Sequence, residues 1–286
     1  MNEHISETAV AIASLRALAG FERDAALRVE DVYAELFLPE DRRAALHSTE
    51  AREAVRQRVP PGMLEYVVAR TRYFDAVYSN AVRTSVPQIV LLGAGFDSRP
   101  IRFPVMDAKT RIFETDMKAT QQYKLHCLAE HGVAPPPEVA FIPVNFEADD
   151  VFEALVAWGF DQSASTLFLW EGVTFYLSQS AVARMLRNVK QHSGANSRLC
   201  FDFQTMRNNE DLIDTGLERE AIRFGITEGG ICAFVEQHGF DIVEHVSAME
   251  MEHRYLTAED GRRLGNILPI MNFLLVEHHH LLAGAS

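Results

Sequence analysis

From Pro87 onward, short apolar runs alternate with segments of helical periodicity, and this alternation constrains the fold more than any other feature of the sequence. The apolar runs predict strands at 88–92, 110–114, 138–143, 166–170, 197–203, 240–246 and 267–276, with helices near 116–131, 149–159, 179–192 and 228–238. Such alternation is typical of a parallel sheet that helices cover on both faces. We therefore expect an α/β fold with a doubly wound, seven-stranded sheet.

The segments outside this alternation suggest two parts. Before Pro87 the pattern is helical, with helices predicted over 6–19 and roughly 60–82, so residues 1–86 are expected to form a helical N-terminal cap on a ligand-binding domain at 87–286. Charged residues near 204–227 predict a helical insertion over the sheet edge. The stretch before the last strand is long enough for that strand to return antiparallel, and Thr257 and Asp260 are expected to cap one short helix there.

Composition excludes several classes of partner. The formal net charge is −13 and no run of Lys and Arg forms a basic stripe, so nucleic acid is not expected as a partner. No apolar run is long enough for a membrane span and the N-terminus lacks an export pattern, so we expect a cytoplasmic protein, monomer or homodimer. Cys127, Cys200 and Cys232 are far apart and are expected to be buried thiols, and EHHH at 277–280 a solvated chain end, so no metal site is predicted.

The first predicted strand runs directly into Gly93-Ala94-Gly95. Two glycines at the end of a strand either form a tight turn or let a ligand lie against the backbone. The dinucleotide fingerprint would place a third glycine at 98, but that residue is Ser98, and Asp97 would repel a pyrophosphate. An NAD-linked oxidoreductase is therefore disfavoured.

Polar and aromatic residues also follow the next three strands. Ligands of open α/β sheets bind beyond the carboxyl ends of the strands, so these positions are candidate site residues. Glu114 and Asp116 end the second strand at the distance of a ribose-binding acid, although Asp116 could instead cap the next helix. Asn145 and Phe146 suit the edge and face of an adenine, and a buried Glu171 requires a cationic partner.

Together these residues predict a nucleoside cofactor that carries positive charge and no phosphate, for which S-adenosyl-L-methionine is suited. Its carboxylate needs a cation, and Arg70 and Arg72 in the preceding helix are the candidates for a bidentate contact. The alternative for both arginines is surface solvation.

The sequence resembles the leucine carboxyl methyltransferase-like family of S-adenosyl-L-methionine-dependent enzymes, which includes relatives of the tetracenomycin carboxyl O-methyltransferase. The resemblance depends on the ordered stretches DVYAELFLPEDRR (31–43), ARTRYFDAV (69–77), VLLGAGFDSRPIRF (90–103), IFETDMKATQQYK (112–124), FIPVNFEADD (141–150) and LFLWEGVTFYL (167–177). It covers most of residues 30–205.

The resemblance implies a class I methyltransferase sheet with a set of cofactor-binding residues. These are Arg70 for the methionine carboxylate, Gly93 and Gly95 beneath the cofactor, Asp116 with Glu114 for the ribose, Asn145 and Phe146 for the adenine, and Glu171 for the methionine amino group. The family usually has Asp where this chain has Asn145, so the adenine contact is expected through the amide or the backbone.

The expected activity is O-methylation of a carboxylate on a small molecule such as a polyketide-like metabolite. The alternatives are methylation of a peptide or protein C-terminal carboxylate, and a catalytically silent cofactor-binding module. Tyr73, Tyr176 and Arg254 are the candidates on the substrate side, and packing or solvation is the alternative for each. A carboxylate acceptor is ionised near neutral pH and requires no general base, whereas an alcohol or phenol would require one.

Overall fold

One twisted sheet forms the centre of the molecule. The computed structural model describes residues 5–105, 110–206 and 222–278. The strands are β1 (Gln88–Leu92), β2 (Arg111–Asp116), β3 (Val139–Pro143), β4 (Thr166–Trp170), β5 (Arg198–Met206), β6 (Ile226–Thr227), β7 (Phe240–Ser247) and β8 (Met271–His278). Their order is β3-β2-β1-β4-β5-β8-β7, with the two-residue β6 paired to β5. Strands β1 to β5 are parallel, and β8 runs antiparallel to both neighbours, as predicted.

The strand order reverses between β1 and β4, which lie side by side at the middle of the sheet. Both strands are buried along their whole length, because their near-continuous apolar sequences face helices on both sides. Chain segments leaving the carboxyl ends of β1 and β4 diverge at this point and open a crevice, which is where doubly wound sheets bind ligands.

Ten α-helices lie within the described residues. They are α1 (Glu7–Ala19), α2 (Glu40–Leu46), α3 (Thr49–Arg58), α4 (Met63–Arg83), α5 (Arg99–Arg102), α6 (Lys118–Glu130), α7 (Val151–Ala157), α8 (Gln179–Gln191), α9 (Ile231–Gln237) and α10 (Ala248–Tyr255), with short 3-10 turns at Ala34–Phe37 and Thr174–Tyr176. Helix α1 begins as predicted after Ser6, whose hydroxyl accepts the Ala9 amide at 3.0 Å. None of the described helices has the length and apolarity that a bilayer span requires.

The core has two parts, one on each face of the sheet. Ile89 and Leu91 of β1 belong to the cluster that also contains the buried faces of α1 and α4, whereas Val90 and Leu92 belong to the cluster under α7 and α8. This alternation follows from the two-residue period of a strand. Helices α1 and α4 therefore pack on the face of the sheet to which Leu91 points and share one apolar core with it.

The structure corrects the prediction for the segment between β7 and β8. The helix there is α10, and it is capped by Ser247 and Glu250 in a reciprocal capping box, not by Thr257 and Asp260. Thr257 instead pairs with Arg263 in an isolated bridge after the helix has ended. The capping box lies directly at the end of β7, so the helix begins ten residues earlier than the sequence indicated.

Two further expectations are changed. Cys232 in α9 is exposed, whereas Cys127 and Cys200 are buried as expected. The predicted insertion at 204–227 lies largely outside the described residues, and its ends are strand, since β5 extends to Met206 and β6 occupies Ile226–Thr227. The EHHH segment also lies partly outside them. Among the residues that are described, no three His, Cys, Asp or Glu side chains group as metal ligands.

Candidate functional site

A cavity of about 890 Å³ lies at the carboxyl edge of the sheet, between the ends of β1 and β4. Residues 91–97, 116–117 and 171–173 form its floor and walls. Helix α1 and the two residues before it cover the cavity through positions 5–9, 12 and 16. This volume is in the range of pockets that bind cofactors and other small molecules. We refer to it as the carboxyl-edge cleft.

The glycine turn after β1 forms the floor of the cleft. Gly93 and Gly95 have φ values of 69° and 49°, which side chains rarely allow. A Cβ on Gly93 would lie 2.6 Å from Val173 Cγ2, so the opposite wall approaches the bare backbone closely. The Gly93 amide donates to the Thr115 carbonyl at 2.8 Å, and this bond fixes the turn against β2.

The two acids at the end of β2 occupy different environments. Asp116 lines the cleft and accepts hydrogen bonds from the amides of Gly95 and Met117, each at 2.6 Å. Glu114 lies outside the cleft lining, buried, with one carboxylate oxygen 2.6 Å from Lys124 Nζ. Burial raises the pKa of Glu114 to about 7 despite the charge of Lys124. The structure thus brings Asp116 to the predicted site and directs Glu114 into an internal ion pair.

Arg70 of α4 and Glu171, which follows β4, lie side by side in the lining of the cleft. Arg70 Nε lies 2.9 Å from Glu171 Oε1, and Arg70 Nη1 lies 3.7 Å from Asp202 Oδ2. The guanidinium also lies over the Tyr66 ring. The predicted cation and the predicted acid are therefore adjacent, and both line the cleft. Arg72, the other predicted cation, lies elsewhere and donates to backbone carbonyl groups, including that of Tyr255 at 3.0 Å.

Arg99, which sequence reasoning did not assign, binds three carboxylates at the cleft wall. Its Nε contacts Asp75 at 2.8 Å, its Nη1 contacts Asp97 at 2.5 Å, and its Nη2 donates to the second oxygen of Glu171. Burial would raise the pKa of Asp97, but the charges of Arg99 and Lys124 outweigh burial and hold that pKa below its usual value. The sequence feature that could have indicated Arg99 is the nearby Asp97, since a buried acid needs a cationic partner.

The two residues predicted for the adenine are separated. Phe146 lines the cleft near the glycine turn, whereas Asn145 does not. The Asn145 side chain accepts the amide of Glu147 at 3.0 Å, and its backbone amide donates to Asp149 at 2.8 Å. Asn145 therefore shapes the turn that follows β3, and Phe146 presents its ring to the cleft.

The three substrate-side candidates lie in two places. Tyr176 lines the carboxyl-edge cleft. Tyr73 and Arg254 line a second cavity of about 630 Å³, which also contains Thr166 at the amino end of β4. Both contact Glu244, the Tyr73 hydroxyl at 3.0 Å and Arg254 Nη1 at 2.6 Å. Of the three candidates, the structure therefore places only Tyr176 near the predicted cofactor residues.

Helix α1 contributes to the cleft in a way that the sequence did not indicate. Ala9 Cβ lies 3.5 Å from the position that a Cβ on Gly95 would take. Ile12 and Arg16 continue the same stripe along the cleft. Arg16 Nη2 donates to the Phe96 carbonyl at 2.6 Å and holds the helix against the glycine turn. The apolar pattern predicted a helix here, but periodicity does not reveal which element a helix covers.

The sequence matches a family of known proteins. The family model described as leucine carboxyl methyltransferase matches residues 9–190, which is more than half of the chain. A Mycolicibacterium smegmatis protein named as an S-adenosyl-L-methionine-dependent methyltransferase is 34% identical over 180 residues, 62% of this chain and 59% of its own. One with the same name from Mycobacterium marinum is 33% identical over 144 residues, 50% of this chain and 47% of its own. Each match thus spans roughly half of the relative's length.

Solved structures support the fold. A Thermobifida fusca protein assigned as a methyltransferase is 16% identical, covers 94% of both chains and superposes with a TM-score of 0.57. A protein of the family called DUF574 from Streptomyces avermitilis is 13% identical, covers 94% of this chain and 97% of its own, and has a TM-score of 0.57. At these identities the likeness concerns the fold alone. The match to the family model confirms the resemblance predicted from the sequence, and the chain belongs to the leucine carboxyl methyltransferase family.

Proposed function

We propose that the protein is an S-adenosyl-L-methionine-dependent O-methyltransferase that methylates a carboxylate of a small molecule. Family membership and the names of the relatives support the cofactor and the reaction class. The observation that carries the choice of acceptor is that three carboxylates of the cleft, those of Asp97, Asp116 and Glu171, are already bound to a cation or to backbone amides.

The chemistry of the cleft fits the cofactor. Arg70 and Glu171 form a paired cation and anion that match the carboxylate and ammonium of an amino acid. Asp116 lies at the end of β2, where an acid accepts ribose hydroxyl groups, and Phe146 offers an aromatic face to a purine. Four carboxylates and three arginines line the cleft, so the lining carries one net negative charge, which favours a sulfonium over a diphosphate.

The cofactor, when bound, supplies a methyl group on an electrophilic sulfonium. The role of the chain is to align an acceptor oxygen behind that methyl group and to exclude water. Helix α1 covers the cleft, and alignment of this kind contributes on the order of 7 to 11 kcal/mol to a reaction barrier. Tyr176 lies on the cleft wall, where its hydroxyl is suited to orient an acceptor oxygen by hydrogen bonding.

Asp97, Asp116 and Glu171 are poorly suited to remove a proton from an acceptor. Asp97 is held by Arg99, and its lowered pKa makes it a weak base. Glu171 contacts Arg70 and Arg99, and Asp116 accepts two backbone amides. An acceptor that arrives already ionised requires none of them as a base, and at neutral pH a carboxylate satisfies this condition whereas an alcohol does not.

The test is transfer of labelled methyl from S-adenosyl-L-methionine to a panel of small carboxylic acids, matched alcohols and phenols, and peptides with free C-termini. We expect label on one or more small acids, released as volatile methanol in mild alkali, because methyl esters hydrolyse there and methyl ethers do not. Alkali-stable label on a phenol or alcohol would contradict the carboxylate acceptor. Label confined to peptides would contradict the small substrate, and cofactor binding without transfer to any acceptor would indicate a silent module.

A further inference from the structure

Arg99 is unusually constrained for a residue at the edge of a ligand cleft. Its side chain is 2% exposed, and each of its three guanidinium nitrogens contacts a different carboxylate, on Asp75, Asp97 and Glu171. These carboxylates come from α4, from the turn after β1 and from the end of β4. Arg99 therefore connects three elements that meet at the cleft.

The anchor of Arg99 is itself fixed. Asp75 also binds Arg102, at 2.7 Å to Nη1 and 2.8 Å to Nη2. Arg102 continues to Ser98 and Asp31, away from the cleft, and does not line it. The planar guanidinium of Arg99 is thus held at one end by Asp75, while its other end reaches Glu171.

Binding of an amino-acid head group places conflicting demands on the pair formed by Arg70 and Glu171. The incoming carboxylate requires Arg70 and the incoming ammonium requires Glu171, although these side chains contact each other at 2.9 Å. As Arg70 turns to the ligand, Glu171 loses part of its contact with that cation. The other carboxylate oxygen of Glu171 still accepts a hydrogen bond from Arg99 Nη2. Burial of a carboxylate without any partner costs free energy, so without Arg99 the Glu171 side chain would move.

We propose that Arg99 is a positioning residue that holds Glu171 in place while the ligand's amino-acid head group separates Glu171 from Arg70. The inference rests on the proposed function in one respect, namely that Glu171 receives the ammonium of the cofactor. It implies that Arg99 contributes to binding only through Glu171, and only for ligands that carry the amino-acid head group.

The test compares two ligands by calorimetry on the full chain. S-Adenosylhomocysteine carries the head group, and 5′-methylthioadenosine has the same nucleoside and thioether without it. In Arg99→Gln the dissociation constant of S-adenosylhomocysteine should rise at least about tenfold, because a buried charged partner is removed, while that of 5′-methylthioadenosine changes less than about twofold. Arg102→Gln is the matched control, since it also removes a guanidinium from Asp75 but leaves Arg99 with all three of its carboxylates. It should change both constants less than about twofold.

A double-mutant cycle tests the route of the effect. In a Glu171→Gln background, Arg99→Gln should change the S-adenosylhomocysteine constant less than about twofold. Arg99→Lys keeps the positive charge but only one of the contacts, so its effect on binding should be intermediate. This variant takes the place of Arg99→Gln in the test if Arg99→Gln does not fold. Equal weakening of both ligands by Arg99→Gln, or an equal effect of Arg102→Gln, would overturn the proposal.

These outcomes are separable from failure of the proposed function. All the measurements are of binding and need no methyl acceptor, so an incorrect acceptor class leaves them unaffected. Unchanged binding of S-adenosylhomocysteine by Glu171→Gln would overturn both the role of Glu171 and that of Arg99.

Discussion

At the scale of single residues, Gly172 is required because Arg70 occupies the space that a side chain would need. A Cβ on Gly172 would lie 2.9 Å from Arg70 Nη1, and the glycine has a φ of 68°. Gly132 has the same φ of 68°, but its Cβ would meet nothing within 4 Å. The two positions therefore share backbone strain and differ in their contact with the cleft.

This pair gives a prediction at the residue scale. Gly172→Ala and Gly132→Ala should each lower the free energy of unfolding by about 1 kcal/mol, because alanine disfavours a positive φ. Only Gly172→Ala should displace Arg70 and weaken S-adenosylhomocysteine binding, by about tenfold or more, since a guanidinium–carboxylate contact would be lost. Chemical denaturation and calorimetry measure the two effects. Equal ligand affinity in both variants would show that Arg70 does not contact the ligand.

At the scale of elements, α1 is the cover of the cleft. Ala9 faces the glycine turn, whereas Ala11 on the same helix is exposed. Phenylalanine at position 9 would project into the cavity that α1 covers, but at position 11 it would project into solvent.

The matched variants Ala9→Phe and Ala11→Phe follow from this geometry. Ala9→Phe should raise the dissociation constant of S-adenosylhomocysteine at least about tenfold through steric exclusion, and Ala11→Phe should leave it unchanged. Titration calorimetry of both proteins decides the point. If both variants bind like the parent chain, α1 does not lie over the bound cofactor.

The elements were predictable to the extent that a local pattern specifies them. Strands β1 and β4 follow from continuous apolar runs, and α8 from the stripe containing Val182 and Val189. Helix α10 was missed because its capping box overlaps the end of β7, so strand and helix signals share Ser247. The placement of α1 over the cleft depends on tertiary packing, which no local period encodes.

The candidate site was predictable where a residue ends a strand. Asp116 and Glu171 were predicted in this way, because the carboxyl ends of parallel strands converge, and both line the cleft. The same rule included Glu114, but that residue lies two positions before the end of β2 and contacts Lys124 of α6, a partner that only the structure reveals. Tyr73 and Arg254 were assigned to the substrate side, but they lie in the second cavity with Glu244.

At the scale of the whole molecule, buried charge between the sheet and a covering helix makes stability depend on pH. Glu114 of β2 and Lys124 of α6 form a pair whose side chains are 1–2% exposed. Burial raises the folded-state pKa of Glu114 to about 7, above the value of about 4.3 in an unfolded chain. The folded state therefore holds a proton that the unfolded state releases, and this contribution to stability is present at low pH and lost as pH rises through about 7.

Glu114→Gln should remove this dependence. Between pH 5 and pH 8 the parent chain should lose stability that the variant keeps. The difference between their free energies of unfolding should therefore change by up to about 3 kcal/mol in favour of the variant, as expected from linkage for a pKa shift of that size. Glu153→Gln, at an exposed position of α7, should show no such change. Urea denaturation across this pH range measures the difference. If the free energies of unfolding of Glu114→Gln and the parent chain changed with pH in parallel, Glu114 would be ionised across the whole range.

The central claim is that the carboxyl-edge cleft holds the amino-acid and nucleoside parts of S-adenosyl-L-methionine between Arg70, Glu171 and Asp116. A crystal structure with S-adenosylhomocysteine tests it most directly. We expect the ligand carboxylate at Arg70, its ammonium at Glu171 and its ribose at Asp116, with α1 above the sulfur. A ligand bound outside this cleft, or one whose amino-acid head group is turned away from Arg70 and Glu171, would contradict it.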